Sequence, residues 1–295
     1  MTAGALLVVG DVVTDVVARH REPLAPATDT AAQIRTLPGG AGANAACWAA
    51  RTGCPDVRLL GRVGAGDAPW HDLALRRAGV RPLLVADAEA PTATVIALVD
   101  AAAERTFLTD SGAALRLARG DWSPDLLEGV GHLHLSGYLF FADTSRDAVT
   151  AALADARAAG VPVSVDPASA GFLKETGVAR FLAAARGADV LLPNADEACL
   201  LTGLDGPEAA ARALSRRFPV VATTLGAAGA LIAEAGEVTA RVGAPRVRPL
   251  DTTGAGDAFT GAFLAARLAG ASPAEAAGAG CRAGAEAVRR IGGRP

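Results

Sequence analysis

The chain has 295 residues, 51% of them hydrophobic and 20% charged, with a formal net charge of −3. That length buries a large core, as one big domain or a domain with a small appendage, and the charge balance leaves no basic footprint for nucleic acid. No apolar run reaches the roughly 20 residues of a membrane span, and the short opening run 6–9 lacks the basic flank of a signal peptide, so a cytoplasmic protein is expected.

Residues 6–10 form the first predicted strand and run into a segment where Asp11 and Asp15 interrupt apolar neighbours. Carboxylates placed there need partners, which the hydroxyls of a polyol could supply; local turn chemistry is the other reading. Residues 19–32, with Pro23 and Pro26, read as a loop before a short strand at 33–37. Pro38 and the glycine-rich run after it then feed a helix that reaches about residue 51. Within that run Gly40 to Ala45 fits G-x-G-x-x-A, the dinucleotide fingerprint, and Arg62 lies where an NADP-linked oxidoreductase could place a cation. Against this, the motif follows a short polar segment ending in proline, and the first core strand has no such turn.

Residues 57–63 are a predicted strand, Gly64-Ala65-Gly66-Asp67 a strand-to-helix turn, and residues 73–78 a helix that Gly79 stops. From 80 to 108 the pattern has period two: Thr92, Thr94, Ile96 and Leu98 share one face, Ala93, Val95, Ala97 and Val99 the other. Antiparallel strands inside an α/β chain predict a small sheet standing apart as a lid. Arg105 on that lid would reach a phosphate, with a solvated arginine as the alternative.

Beyond residue 130 strands at 132–136, 161–166, 190–192 and 220–225 alternate with helices at 145–159, 171–186, 195–201 and 207–217. Ser145 or Thr144 is the expected cap of the first of these helices and Gly160 its stop. The spacing predicts an α/β fold, a parallel sheet with helices on both faces. Strands end at Ser136, Asp166, Asn194, Thr224 and the loop at Asp251, each polar where an apolar run stops. Ligands bind beyond such carboxyl ends, although helix capping selects the same residue types. His132 and His134 share a strand face and, with no third ligand nearby, read as locally satisfied. Cys47, Cys54, Cys199 and Cys281 form no CxxC pair and read as small packing residues.

The most informative stretch is Asp251-Thr252-Thr253-Gly254-Ala255-Gly256-Asp257-Ala258-Phe259, a glycine turn feeding an apolar helix. Glycine lets successive N–H groups converge, and the first helical turn adds unpaired donors at the positive end of the dipole, which together bind anions. A carboxylate beside such a cradle suits phosphoryl transfer, where one group takes a hydroxyl proton while backbone donors hold phosphoryl oxygens. Asp257 would be that base; equally, it could only complement the dipole of its own helix. The same position predicts a low pKa for its carboxyl. Lys174 is the sole lysine, which excludes a Walker A loop and a protein-kinase arrangement.

These stretches resemble the PfkB, or ribokinase-like, carbohydrate kinases from end to end. The run from Asp251 to Phe259 is similar to the family's C-terminal signature, and Gly39-Gly40-Ala41-Gly42-Ala43-Asn44-Ala45-Ala46 to its N-terminal one. The resemblance implies a ribokinase-like three-layer α/β/α sandwich with a mostly parallel central sheet and a small β-sheet lid. It implies a single domain over 1–295, with lid segments at about 12–37 and 80–108. The implied reaction is ATP-dependent phosphorylation of a primary hydroxyl of a sugar or nucleoside, with Asp257 as catalytic base and the backbone of Gly254, Ala255 and Gly256 as anion hole. By the same resemblance Asn194 and Glu197 of an N-x-x-E element place Mg2+ and phosphates, mainly through water. Thr224, Gly226 and Gly229 form a nucleotide-binding turn. Asp15, Gly39, Gly40 and Asn44 hold acceptor hydroxyls, with Arg105 on the lid.

Asp251 and the tail 290–293 resemble a monovalent-cation loop, implying activation by K+, and lids in relatives pair into homodimers. The partners implied are a small sugar or nucleoside, with neither nucleic acid nor membrane. The chain departs from ribokinase proper at Val13 and Ala41, where that enzyme carries Asn and Lys, and at Ser136-Gly137-Tyr138, which lacks its acidic sugar contact. These departures point away from ribose itself. A catalytically silent sugar-binding regulator on the same fold is a further alternative, against which the presence of both Asp257 and its glycine loop speaks.

Overall fold

Leu6 and Val8 bury one side of the first strand while Leu7 and Val9 bury the other, so this strand is covered on both faces. The computed structural model, which describes residues 4–101 and 105–295, builds three layers around it. In chain order the first elements are β1 (Ala5–Val9), β2 (Val13–His20), β3 (Ala32–Gly39), α1 (Ala41–Arg51), β4 (Val57–Gly64), α2 (Ala68–Arg77), β5 (Val80–Asp87), β6 (Ala93–Val99) and β7 (Arg105–Asp110). Next come β8 (Val130–Ser136), α3 (Asp143–Ala158), β9 (Val163–Asp166), α4 (Ala170–Thr176), α5 (Val178–Ala184), β10 (Val190–Leu191), α6 (Ala195–Thr202) and α7 (Pro207–Leu214). The last are β11 (Val220–Thr224), β12 (Ala230–Glu234), β13 (Glu237–Val242), α8 (Ala255–Leu268) and α9 (Pro273–Ala287).

The large sheet runs β13-β12-β11-β10-β9-β8-β1-β4-β5, parallel from β5 through to β11. One core joins Leu7, Leu133, Val165 and Val221 to α3, α5 and α7. The other joins Leu6, Leu59, Leu192 and Ile232 to α1, α8 and α9. A separate four-stranded sheet, β3-β2-β6-β7, stands over the carboxyl edge of the first. Among the described residues no helix is long and apolar enough to cross a membrane.

Several boundaries differ from the sequence reading. Residues 80–87, expected with the small sheet, run as β5 along the edge of the large one, because they close a strand-helix-strand unit with β4 and α2. The helix expected over 171–186 breaks at Gly177, where φ is 98°. Helix α3 begins at Asp143 behind Ala142, which offers no side-chain cap, so neither Thr144 nor Ser145 is the cap. The hairpin β12–β13 adds an antiparallel edge to the predicted alternation. Its two-residue turn, Ala235 and Gly236, has positive φ at both positions (50° and 86°), as a tight hairpin requires.

Two close contacts seat α1, one against α8 and one against the end of β1. A Cβ on Gly261 of α8 would lie 2.3 Å from the Ala45 carbonyl oxygen of α1, so only glycine lets these helices touch. A Cβ on Gly42 would lie 2.6 Å from Gly10 Cα, which seats the start of α1 on the end of β1.

Candidate active site

The carboxyl ends of β9 and β11, the start of α1 and the start of α8 open into one cavity of about 450 Å³ beneath the small sheet. At its base α8 begins behind Gly254, whose φ of 73° lies in the left-handed region and whose missing side chain leaves room for Gly293. The amides of the first helical turn have no intrahelical acceptor and carry the positive end of the dipole. Asp257 sits in that turn, and Asn44 Nδ2, one turn into α1, donates to its Oδ2 at 2.8 Å. Both residues line the cavity.

The low pKa expected for Asp257 is overturned. Loss of hydration lifts its carboxyl well above the usual range; the hydrogen bond from Asn44 opposes this, and the charges of Asp166, Asp11 and Asp15 add to the rise. Burial and these neighbouring carboxylates outweigh one helix dipole, whose effect amounts to about 0.3–1 kcal/mol.

Asp11 is buried, and its oxygens accept from Ala41 N at 2.7 Å, Gly42 N at 3.1 Å and Ser136 Oγ at 2.6 Å. It therefore caps α1 and ties it to β8, which is the turn-type reading of that residue. Asp15, two strand positions beyond Val13 on β2, points into the cavity with its carboxyl against Gly39; a Cβ there would meet Oδ2 at 2.1 Å. Burial pushes its pKa to about 6, Arg294 pulls it down, and Asp11 and Asp251 push it up. Arg294 reaches the same place from the tail: Nη2 donates to the Gly39 carbonyl at 3.0 Å, while Nε and Nη1 are buried without a protein partner among the described residues. The tail is further held by Trp48 Nε1 donating to Gly293 O at 2.9 Å and Gly292 N donating to Asp251 Oδ2 at 3.1 Å.

On the other side, Asn194 and Glu197 form a reciprocal cap on α6, with Glu197 N donating to Asn194 Oδ1 and Asn194 N to Glu197 Oε2, both at 2.9 Å. Both also line the cavity. Burial and the charge of Asp166 raise the pKa of Glu197, and burial does the same to Asp166, which accepts from Ala168 N and from Thr260 Oγ1 on α8. Closely spaced carboxyls with raised pKa values suit a cation between them. Asp166 and Glu197 supply oxygen donors of the kind magnesium takes, and among the described residues no three side chains form a direct metal cage.

The sequence profile of the pfkB family carbohydrate kinases matches residues 4–295. The chain belongs to that family. It is 32% identical over 285 residues to the fructokinase of Klebsiella pneumoniae, covering 92% of this chain and 86% of that one. A solved structure of a probable sugar kinase from Rhizobium etli CFN 42 superposes with a TM-score of 0.89 at 26% identity, covering 100% of this chain and 96% of that one. Ribokinase from Thermotoga maritima does so at 0.82 and 26%, covering 98% and 94%.

Membership makes this PfkB carbohydrate kinase a phosphotransferase with an alcohol acceptor and removes the oxidoreductase reading. The G-x-G-x-x-A segment opens α1 out of β3 of the small sheet, and Arg62 is occupied by Asp87 and Asp121, at 2.9 and 2.8 Å. Of the residues singled out from sequence, Asp257, Gly254, Gly256, Asp15, Gly40, Asn44, Asn194, Thr224 and Glu197 line this cavity. Ala255 lies between two lining glycines, and Gly39 lies beneath Asp15. Gly226 starts a short 3-10 turn, Gly226–Ala228, and Gly229 ends it against the Val242 carbonyl; neither lines the cavity. Arg105 opens β7, but its side chain lies outside the described residues.

Sequence reasoning noted Tyr138 only as part of a stretch lacking an acidic sugar contact, and it passed over Phe172 and Arg294. Phe172 carries no signal beyond being a predicted helical residue. Arg294 had one, as an arginine following the paired glycines of the tail.

Proposed function

We propose that this kinase transfers the γ-phosphoryl group of ATP to a primary hydroxyl of its sugar or nucleoside acceptor, with Asp257 as general base and the Gly254, Ala255 and Gly256 amides as anion hole. The observation that carries this is the placement of Asp257 at the base of the cavity beside the amides of its own helix turn, oriented by Asn44. The acceptor hydroxyl attacks the γ-phosphorus as the bond to the β,γ-bridging oxygen breaks. ADP leaves with that electron pair, and the hydroxyl proton passes to Asp257. A raised pKa makes Asp257 a stronger proton acceptor than an ordinary surface aspartate.

Asp15, Asn44 and the backbone of Gly39 and Gly40 hold the acceptor's other hydroxyls. Asn194, Thr224 and the turn from Gly226 to Gly229 hold the nucleotide. Magnesium held through water by Glu197 would neutralise phosphate oxygens and draw nearby carboxyls back to their charged form. Closure of the small sheet excludes water and aligns the reacting atoms.

Potassium activation belongs to the same proposal, since Asp251 and the 290–293 tail meet at the Gly292 amide; equal rates in sodium and potassium chloride would remove it. So does pairing through the lid, whose outer face carries Val16, Ile96 and Leu108 in register, with Ile34 65% and Leu108 54% exposed. A sedimenting monomer at micromolar concentration would count against that pairing.

Asp257→Asn tests the central claim. It keeps shape and removes the base, so kcat falls on the order of 10²- to 10⁴-fold, while the KM for ATP stays near wild type. Wild-type turnover in the variant rejects the assignment.

A further inference from the structure

The strands of the small sheet that roof the cavity are polar at one rung and apolar on either side of it. Strand register places Asp15, Val95 and Thr109 side by side on the inward face; the next rung outward is Val17, Ala97 and Phe107. The rung before it is Val13 and Ala93. From the large-sheet side the same cavity is lined by Tyr138, which lies just past β8, and Phe172 on α4. Phe172 is held in place: Phe141 stacks on it with centroids 5.2 Å apart and planes 13° apart, and Tyr138 meets it edge-on at 5.7 Å. Phe107, on the lid, is 53% exposed.

We infer that the acceptor is a nucleoside, with its pentose at Asp15 and Asn44 and its planar heterocycle in an aromatic subsite formed by Phe172, Tyr138, Phe107 and the Val17–Ala97 rung. This rests on the phosphotransfer reading and deepens it. A free hexose or pentose carries hydroxyls on every side. Those turned toward Val17, Ala97 and Phe107 would lose water and gain no partner. A heterocycle presents flat faces, which stack on fixed aromatic rings, and a polar edge, for which the hydroxyls of Thr109 and Ser169 also line the cavity. Asp11 has little capacity left for an acceptor hydroxyl, because it already accepts three hydrogen bonds from α1 and Ser136. Asp15 and Asn44, which both line the cavity on the small-sheet side of Asp257, are then a polar pair sufficient to hold one pentose.

The test compares kcat/KM by ADP release for adenosine, cytidine, uridine and pseudouridine against ribose and fructose, with thermal stabilisation by each acceptor measured in parallel. At least one nucleoside should exceed both sugars by about tenfold or more, and Phe172→Ala should raise its KM roughly tenfold, as loss of one stacking platform does. The KM for ATP should be unchanged. Phe107→Ala, at an exposed lid position that folding does not need, should raise the nucleoside KM in the same direction. If ribose or fructose is the better acceptor, the inference is overturned while the kinase reading stands. If a nucleoside raises the melting temperature but no ADP forms, the subsite stands and the kinase reading falls. If no nucleoside binds or reacts, the inference falls.

Discussion

Gly261→Ala is the substitution on which the geometry speaks most directly. Gly261 lies where α8 crosses α1, and an added methyl would meet Ala45 O at 2.3 Å, Ala49 N at 2.7 Å and Trp48 Cβ at 2.9 Å. Two of these are backbone atoms and cannot rotate away. Ordinary contact begins near 3.4 Å, so the helices must part by roughly 1 Å. Alanine in a helix gains up to about 1 kcal/mol over glycine, but overpacking costs about 1–3 kcal/mol, and the clash wins. At roughly 2–4 °C per kcal/mol for a chain of this size class, a net loss of about 1–2 kcal/mol should lower Tm by about 2–8 °C.

The larger effect is on turnover, because the Asn44–Asp257 bond spans the same crossing. A misplacement near 1 Å can cost on the order of 100-fold in kcat. Differential scanning calorimetry and a coupled ADP assay measure both. Gly278→Ala in α9 is the control: its methyl meets only the far end of Arg282, at 3.4 Å, so Tm should hold or rise. A Gly261→Ala enzyme with unchanged Tm and kcat would refute the reasoning.

The cavity's carboxyl groups lead to two more expected outcomes. Asp15 has a pKa raised to about 6, so it gains a proton as pH falls through 6 and loses its charge and part of its capacity to accept from acceptor hydroxyls. The acceptor KM should climb below pH 6, and Asp15→Asn should abolish that rise; a flat KM from pH 5 to 8 in wild type contradicts it. Glu197→Gln keeps the cap on α6 but removes a charge from the cavity. The magnesium concentration for half-maximal rate should therefore increase by several-fold or more, on the order of 10-fold, and an unchanged titration would count against its role.

Much of this site was legible in the sequence because its residues sit at element ends. Gly254, Asp257, Asn194 and Thr224 are polar or glycine residues where apolar runs begin or stop, and backbone geometry alone sends such ends to one rim of a parallel sheet. Residue type could not say what each would touch. Asp11 and Asp15 look alike on paper, yet one caps α1 and the other faces the cavity, because register puts Asp15 opposite Leu37 and Val95 on the small sheet. The basicity of Asp257 was misjudged for the same reason: its helix is local, whereas Asp11, Asp15 and Asp166 arrive from distant strands. Residues 80–87 alternate like the strands after them, and only the preceding α2 decides which sheet they join.

Gly292, Gly293 and Arg294 bind the Asp251 loop, Trp48 and the Gly39 carbonyl, and so strap together segments far apart in the chain. None of the three belongs to the cores that hold the large sheet to its helices. Cutting this strap should therefore leave the layers standing and loosen the floor of the acceptor pocket, a loss that turnover would register before the melting temperature does.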